Sequence, residues 1–275
     1  MITHFADLQL HTVSIQGVKQ IYQQKLGFPV TYETDSEIRF QPAEHFTLSF
    51  VEVSEPLSPA HFAFEVPYST FHESEAFLRE SGIPILQWPD GREADEFETG
   101  KNLYFRDGDG NLLELIAHSY ITENVLSPVG GAKIMYLREA GFPTDDVPRL
   151  REWFKQVLQL KTREESDSFN FVIGGTAHAI VTSSARRWIP IAMRAMPPRL
   201  TASFGVPDAG FIRQVRAHVA EQDIRLESAE ELCWNQYGYG IRLVVTPGFD
   251  AQLPAVLQLP LSAPPGSAAS DRSLI

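Results

Sequence analysis

The sequence predicts an α+β protein built from four βαβββ modules that pair into two domains with curled, mixed sheets. Three observations support this prediction. Short segments alternate apolar and polar residues, as half-buried strands do. Helical runs with apolar residues at i, i+3 and i+4 stand between these segments. The order then recurs, because Gly27 and Gly82, which follow the first two predicted helices, are 55 residues apart (82 minus 27).

The first module begins with an alternating strand over residues 5–13, in which Leu8 and Leu10 face the core. The helix that follows ends at Gly27, a residue that commonly terminates helices. Its apolar stripe consists of Val18, Ile21, Tyr22 and Leu26. The remaining strands of this module are predicted at 30–34, 38–41 and 46–53.

The second module repeats this order from residue 61. An alternating strand at 61–66 precedes a helix at 70–81, and further strands are predicted at 85–88, 101–106 and 111–117. The run Asp-Gly-Asp-Gly-Asn at 107–111 indicates a tight hairpin between the last two strands.

The third and fourth modules are weaker copies of the same order. The third starts at Ala132, with a helix whose stripe includes Leu150 and Phe154, and with strands at 161–166, 169–173 and 177–182. The fourth has a first strand at 200–206 and a helix at 209–222. Its later strands are predicted at 224–228, 239–245 and 256–261.

These modules predict the domain boundaries. Consecutive modules are expected to pair, which gives one domain at 1–122 and a degenerate second domain at 132–262. The Pro- and Gly-containing segment 123–131 is predicted to be the linker. The Pro-, Ala- and Ser-rich segment 263–275 predicts a disordered tail.

Composition excludes several classes of protein. The chain has 275 residues and a net charge of −12, from 23 basic and 35 acidic residues, which argues against a nucleic-acid partner. The single cysteine, Cys233, cannot form an intramolecular disulfide and favours a reducing, cytoplasmic compartment. We expect no membrane segment, because no apolar run approaches the ~18–20 residues that span a bilayer. The first residues also lack the basic start and apolar run of a signal peptide.

Three residues on the predicted first domain could bind a metal ion. Asp7 and His61 lie on the first strands of modules one and two, 54 residues apart (61 minus 7). Glu114 lies between two leucines on the last strand of module two. One imidazole and two carboxylates from three strands would form a facial site with open positions for substrate or O₂.

Three sequence elements resemble the vicinal oxygen chelate superfamily, which includes glyoxalase I, extradiol dioxygenases and bleomycin-binding proteins. They are Leu-Gly-Phe at 26–28, His-Phe-Ala-Phe-Glu-Val at 61–66 and the segment 104–115, Tyr-Phe-Arg-Asp-Gly-Asp-Gly-Asn-Leu-Leu-Glu-Leu. The last element resembles the family pattern Tyr-Phe-x-Asp-Pro-x-Gly-Asn-x-x-Glu-Leu, with Gly108 where the family has Pro.

The resemblance implies that Asp7, His61 and Glu114 hold one divalent ion, which could be Fe, Mn, Zn or Ni. Asp7 departs from the residue types that the family uses at this position, and His11, on the same face, is the alternative ligand. The resemblance also implies a catalytic role for Tyr104 as a hydrogen-bond donor to the substrate. We expect His11, Trp88 and His118 to contribute to substrate binding.

The resemblance also implies a metal-dependent enzyme that acts on a small, oxygen-rich molecule. Ring-cleaving, extradiol-type dioxygenation is the first hypothesis, and glyoxalase-type lyase or isomerase chemistry is the second. A metal-free protein that binds a small molecule, as in drug resistance, is the alternative from another class. A homodimer is compatible with each of these hypotheses.

Overall fold

The computed structural model describes residues 1–188, 190–191 and 193–261. In these residues the strands form an eight-stranded sheet, a seven-stranded sheet and a two-stranded hairpin. The predicted tail at 263–275 lies outside the described residues. Within the described part of the chain, no helix combines the length and apolar character needed to cross a membrane.

The first two modules have the predicted βαβββ order. The first comprises β1 (His4–Thr12), α1 (Ile15–Val18), β2 (Val30–Glu33), β3 (Glu37–Ala43) and β4 (Phe46–Glu52), and α1 continues into a π-helical segment, Lys19–Lys25. The second comprises β5 (His61–Glu65), α2 (Phe71–Glu80), β6 (Ala94–Phe97), β7 (Gly100–Arg106) and β8 (Leu112–His118).

The last two modules are joined by a short hairpin. The third comprises β9 (Tyr136–Thr144), α3 (Val147–Gln156), β10 (Phe169–Gly174) and β11 (Ala177–Ser183). The hairpin consists of β12 (Arg187–Trp188) and β13 (Met193–Arg194). The fourth comprises β14 (Leu200–Val206), α4 (Ala209–Arg216), β15 (Ile224–Glu227), β16 (Glu231–Gln236) and β17 (Tyr239–Val245), and α5 (Leu253–Val256) follows it.

Two local predictions differ from the structure. Residues 256–261 were predicted as the last strand of the fourth module, but they include the end of α5. The fourth module instead has a strand that was not predicted, β16. The strands predicted at 85–88 and 161–166 are reduced to isolated bridges at Ile85 and Lys161. A short apolar run such as 256–261 does not by itself distinguish a strand from a buried helical turn.

The pairing of the modules differs from the expectation that neighbours in sequence share a sheet. β1 pairs antiparallel with β14, which joins the first module to the fourth in the eight-stranded sheet. β5 pairs antiparallel with β9, which joins the second module to the third in the seven-stranded sheet. Each sheet thus combines two modules through their first strands.

The strands have one face toward the helices and one toward the inside of the curl. On β5, Phe62 and Phe64 are fully buried in the main apolar core, whereas His61, Ala63 and Glu65 point to the other face. This alternation follows from the two-residue period of a strand. The inner face of the seven-stranded sheet therefore collects polar side chains from neighbouring strands.

Candidate metal centre

Three buried side chains converge inside the curl of the seven-stranded sheet. They are His61 on β5, Glu114 on β8 and Glu139 on β9, and one ligand atom from each lies within 4.8 Å of the others. Each residue is no more than 5% exposed. Among the described residues, this is the group of His, Cys, Asp and Glu side chains with the spacing of a metal site.

The strand register brings the two carboxylates together. Ala63, the next inward residue after His61 on β5, has Glu114 as its partner on β8 and Glu139 as its partner on β9. Directly paired residues point to the same face of a sheet. The methyl group of Ala63 is small, so the two glutamates can approach each other above it.

His61 presents a free ring nitrogen to this cluster. Its Nδ1 lies 3.1 Å from the carbonyl oxygen of Leu112, to which it donates, so that Nε2 retains its lone pair. Nε2 lies 3.5 Å from Oε2 of Glu114. Burial lowers the pKa of His61 to about 4, so the ring is neutral at pH 7. A neutral imidazole whose other ring nitrogen donates to a fixed acceptor is the form that binds metals.

Glu114 is held by two polar neighbours on β7. The amide Nδ2 of Asn102 donates to Oε1 of Glu114 at 2.9 Å, and also to the hydroxyl oxygen of Tyr104 at 3.1 Å. These contacts fix the orientation of the carboxylate. Burial, followed by the charge of Glu139, raises the pKa of Glu114 well above its usual range.

Glu139 is positioned beside a β-bulge. On β9, Leu137 pairs with Phe64 and Glu139 pairs with Ala63, so Arg138 is an extra residue in this strand. A bulge re-aims the neighbouring side chains, and here Nε of Arg138 lies 3.6 Å from Oε1 of Glu139. Burial raises the pKa of Glu139, and the charge of Arg138 partly opposes this effect.

The donor set fits a divalent cation. Two buried carboxylates repel each other when both are ionised, and Arg138 is shared with Glu65, whose Oε2 accepts from it at 3.0 Å. A buried charge that is not compensated is costly. A divalent ion would compensate both carboxylates, and one nitrogen with two oxygens suits Mn, Fe, Zn or Ni.

An apolar and aromatic cover lies against His61 of this cluster. The ring of Trp188, in the β12–β13 hairpin, lies 4.6 Å from that of His61, and the ring of Tyr104 lies 6.3 Å from it. The cover also contains Leu112 and Ile180, with Trp88 packed against its edge. The indole Nε1 atoms of Trp88 and Trp188 are buried and have no hydrogen-bond partner among the described residues.

Asp7 and His11 are not part of this cluster, which corrects the predicted ligand set. Both lie on β1, in the eight-stranded sheet, because the first module pairs with the fourth. Asp7 accepts a hydrogen bond from Ser49 at 2.6 Å, and burial raises its pKa to about 6. Glu139 occupies the place that the sequence analysis gave to Asp7.

The other predicted site residues lie in or near the curl. Tyr104 and Trp88 contribute to the cover, with their rings 6.2 Å apart. His118 lies on β8 and is bound to Glu65, with its backbone N–H donating at 2.9 Å and its Nδ1 lying 3.0 Å from Oε2. His118 is 8% exposed, so its ring lies inside the protein, and this burial lowers its pKa.

The sequence analysis missed Glu139 and Trp188. A signal for Glu139 was present, because two adjacent charged residues, Arg138 and Glu139, interrupt an otherwise apolar first strand. Burying such a pair is costly unless the charges have partners. Trp188 had no comparable signal, since it lies in the connector between modules and only the folded chain brings it against His61.

Comparison with known proteins identifies the fold. No family model and no curated protein matches the sequence. The structure is similar to that of a candidate dioxygenase from Bacillus subtilis, with a TM-score of 0.64 and 12% identity over 94% of this chain and 92% of that one. It is also similar to glyoxalase I from Zea mays, with a TM-score of 0.56 and 11% identity over 88% of this chain and 92% of that one. The chain has the fold of the vicinal oxygen chelate superfamily.

Proposed function

We propose that this protein is a metal-dependent enzyme that acts on a small molecule with two adjacent oxygen atoms. The observation that supports the proposal is the convergence of His61, Glu114 and Glu139 within 4.8 Å in a buried site. Three protein ligands leave positions of a divalent ion open for substrate. Such an ion acts as a Lewis acid that stabilises negative charge on substrate oxygens.

The cover supplies binding groups for such a substrate. The unpartnered indole N–H groups of Trp88 and Trp188 can donate to substrate oxygens, and burial strengthens these bonds. Burial, with the charge of Glu114 as the next cause, raises the pKa of Tyr104, so its phenol remains a donor. A donor aimed at an oxygen that gains charge in the transition state lowers the barrier.

We assign proton transfer to Glu139. Glu114 is fixed by Asn102, whereas the charged neighbour of Glu139 is Arg138, 3.6 Å away. A carboxylate can act as a general base when it lies within reach of the proton that is removed. In a substrate with a hydroxyl and a carbonyl on adjacent carbons, Glu139 would take the proton from the hydroxyl-bearing carbon and return it to the former carbonyl carbon, while the hydroxyl proton passes to the other oxygen. This is isomerase or lyase chemistry of the glyoxalase type.

Ring-cleaving dioxygenation is the second candidate, favoured by Tyr104 next to Glu114 in the site. Non-haem Fe(II) oxygenases typically use two histidines and one carboxylate. This cluster has one histidine and two carboxylates. We therefore rank proton transfer above ring cleavage.

Metal analysis tests the first part of the proposal. The protein is stripped with chelator, reloaded separately with Mn²⁺, Fe²⁺, Zn²⁺ and Ni²⁺, and analysed by elemental spectrometry. We expect one ion per chain in wild type and a loss of affinity of about 10–1,000-fold in His61→Ala, Glu114→Gln and Glu139→Gln. Glu80→Gln, at an exposed position on α2, is the matched control and should bind as wild type does. Failure to bind any of the four ions would instead favour a metal-free binding protein.

Reaction assays distinguish the two candidate activities. Proton transfer is followed by NMR as exchange of deuterium from solvent into α-hydroxy ketones. Ring cleavage is followed as oxygen uptake with catechols. Exchange that requires metal and is lost in Glu139→Gln even at metal concentrations that load the variant would support the proposal, and metal-dependent oxygen uptake without exchange would reverse the ranking.

A further inference from the structure

A cavity of about 280 Å³ lies in the eight-stranded sheet, away from the candidate metal centre. It is open on one side and is formed where the first and fourth modules meet along β1 and β14. Its lining includes His4, Asp7, Glu44, Ser203 and Arg242.

Besides Nε of Arg242, which is ion-paired with Glu231, two buried polar atoms of the lining have no hydrogen-bond partner among the described residues, namely Nε2 of His4 and Oγ of Ser203. Their side chains belong to residues that are 3% and 1% exposed. Buried polar atoms without a partner are uncommon in folded proteins, so each calls for an explanation. A ligand in the adjacent cavity would supply the missing partners.

The protonation state of His4 defines what that partner must be. Thr3 uses its hydroxyl hydrogen to donate to the carbonyl oxygen of Gly205 at 3.0 Å. The contact between Thr3 Oγ1 and Nδ1 of His4, 2.8 Å, therefore requires Nδ1 to carry the hydrogen. Nε2 is then an acceptor, and it requires a hydrogen-bond donor from the ligand.

The fold holds the His4 ring firmly in this position. The ring is stacked on Phe249 with centroids 3.8 Å apart and an interplanar angle of 8°. Its other side approaches the backbone of Gly205, where a Cβ would be 2.1 Å from the ring. A glycine is thus required on β14 for His4 to occupy this place.

Two carboxylates line the cavity, namely the half-buried Asp7 and the exposed Glu44, which lies 3.9 Å from Nε2 of His45. Arg242 is paired with Glu231 at 2.5 Å, and Arg39 is paired with Glu37 at 2.6 Å. Asp7 has the hydroxyl of Ser49 as its direct partner and no ion pair among the described residues. The cavity therefore presents the carboxylates of Asp7 and Glu44 and the acceptor nitrogen of His4.

We propose that this cavity is a second ligand site, which binds a small organic amine in its cationic form. The ammonium group donates to the carboxylate of Asp7 and to Nε2 of His4, and the apolar part of the amine occupies the rest of the cavity. Charge-assisted hydrogen bonds are about twice as strong as neutral ones, so Asp7 dominates the binding. The site is independent of the metal centre, because its residues lie on the other sheet.

Three probes of similar shape and different charge test this proposal. Benzylamine, benzyl alcohol and benzoate are titrated into the full-length protein by calorimetry, once with chelator and once with metal present. We expect saturable binding of benzylamine in both conditions, with a Kd below about 10 mM, and binding at least about tenfold weaker for the alcohol and the acid. Equal binding of the three probes, or none by benzylamine, would overturn the proposal.

Variants locate the site. Asp7→Asn should weaken benzylamine binding by about tenfold or more, since it removes the charge and keeps the shape. Asp35→Asn, at an exposed position in the same module, is the matched control and should leave binding unchanged. Thr47→Trp, at a half-buried position of the cavity lining, should block the space and abolish binding. Thermal unfolding of each variant verifies that it is folded.

The metal experiments remain separate from this test. Asp7→Asn should retain the metal content of wild type, and Glu139→Gln should retain benzylamine binding. Benzylamine affinity that is unchanged in both Asp7→Asn and Thr47→Trp would place the amine elsewhere and refute the assignment.

Discussion

The substitution Glu139→Gln is expected to change the stability of the protein in opposite directions with and without metal. Oxygen atoms of Glu114 and Glu139 lie within 4.8 Å of each other. Two unit charges at this distance repel by about 3 kcal/mol at an effective dielectric constant of about 20. If one of the two carboxylates keeps its proton, this repulsion is reduced. Keeping a carboxylate protonated at pH 8 costs free energy of its own, however, and this cost also lowers the stability of the folded state.

Arg138, 3.6 Å from Glu139, offsets part of the repulsion. We therefore expect the metal-free variant to be more stable than metal-free wild type by about 2 kcal/mol, which corresponds to a Tm higher by roughly 5 °C. With metal at about 1,000 times its Kd, wild type gains about 4 kcal/mol of stability by mass action. The variant has lost a ligand and gains much less, so the order reverses.

The assay is thermal and urea-induced unfolding at pH 8, with chelator and then with saturating metal. Glu80→Gln controls for the loss of a carboxylate from an exposed surface and should follow wild type in both conditions. If Glu139→Gln is less stable than wild type in chelator and is stabilised by metal to the same extent, the electrostatic reasoning about this site is wrong.

Three further predictions concern other parts of the molecule. Because burial raises the pKa of Asp7 to about 6, the folded state binds its proton more tightly than the unfolded state. The free energy of unfolding should thus fall by up to about 3 kcal/mol as pH rises from about 4 to about 6. Urea titrations should show that Asp7→Asn removes this contribution, and an unchanged pH profile would contradict it. Trp188→Ala uncovers His61, so a chelator should remove metal at least about tenfold faster. The variant should also lose about 3 kcal/mol of stability. Metal release measured by stopped flow that is no faster than in wild type would exclude a covering role for Trp188. Gly175→Ala should destabilise the protein by more than about 3 kcal/mol, because φ is +60° and a Cβ would lie 1.8 Å from a main-chain oxygen. Gly27→Ala, at φ +70° in open space, should cost only about 1 kcal/mol, and similar losses in both variants would refute the steric argument.

Local patterns explain why the modules could be predicted from the sequence. The alternation on β1, the apolar stripe before Gly27 and the turn at 107–111 each reflect short-range geometry, which the sequence records directly. The positions of His61 and Glu114 followed from the same local order, and the two side chains do meet.

Long-range pairing could not be predicted in the same way. The first strands of all four modules have similar alternation, so nothing local favours β1 pairing with β14 over β5. That single difference moves Asp7 into the other sheet and brings Glu139 to His61. The error in the predicted ligand set is therefore an error of strand pairing rather than of chemistry.

The pairing of the first module with the fourth also has a consequence for synthesis of the chain. Phe5 on β1 pairs with Phe204 on β14, 199 residues later (204 minus 5). Translation at about 5–20 residues per second leaves β1 without this neighbour for roughly 10–40 seconds. Within that interval the middle two modules emerge with all the strands of their own sheet. The first module meanwhile exposes the open edge of β1. The nascent chain is therefore vulnerable to aggregation at β1 until the fourth module is made and protects this strand.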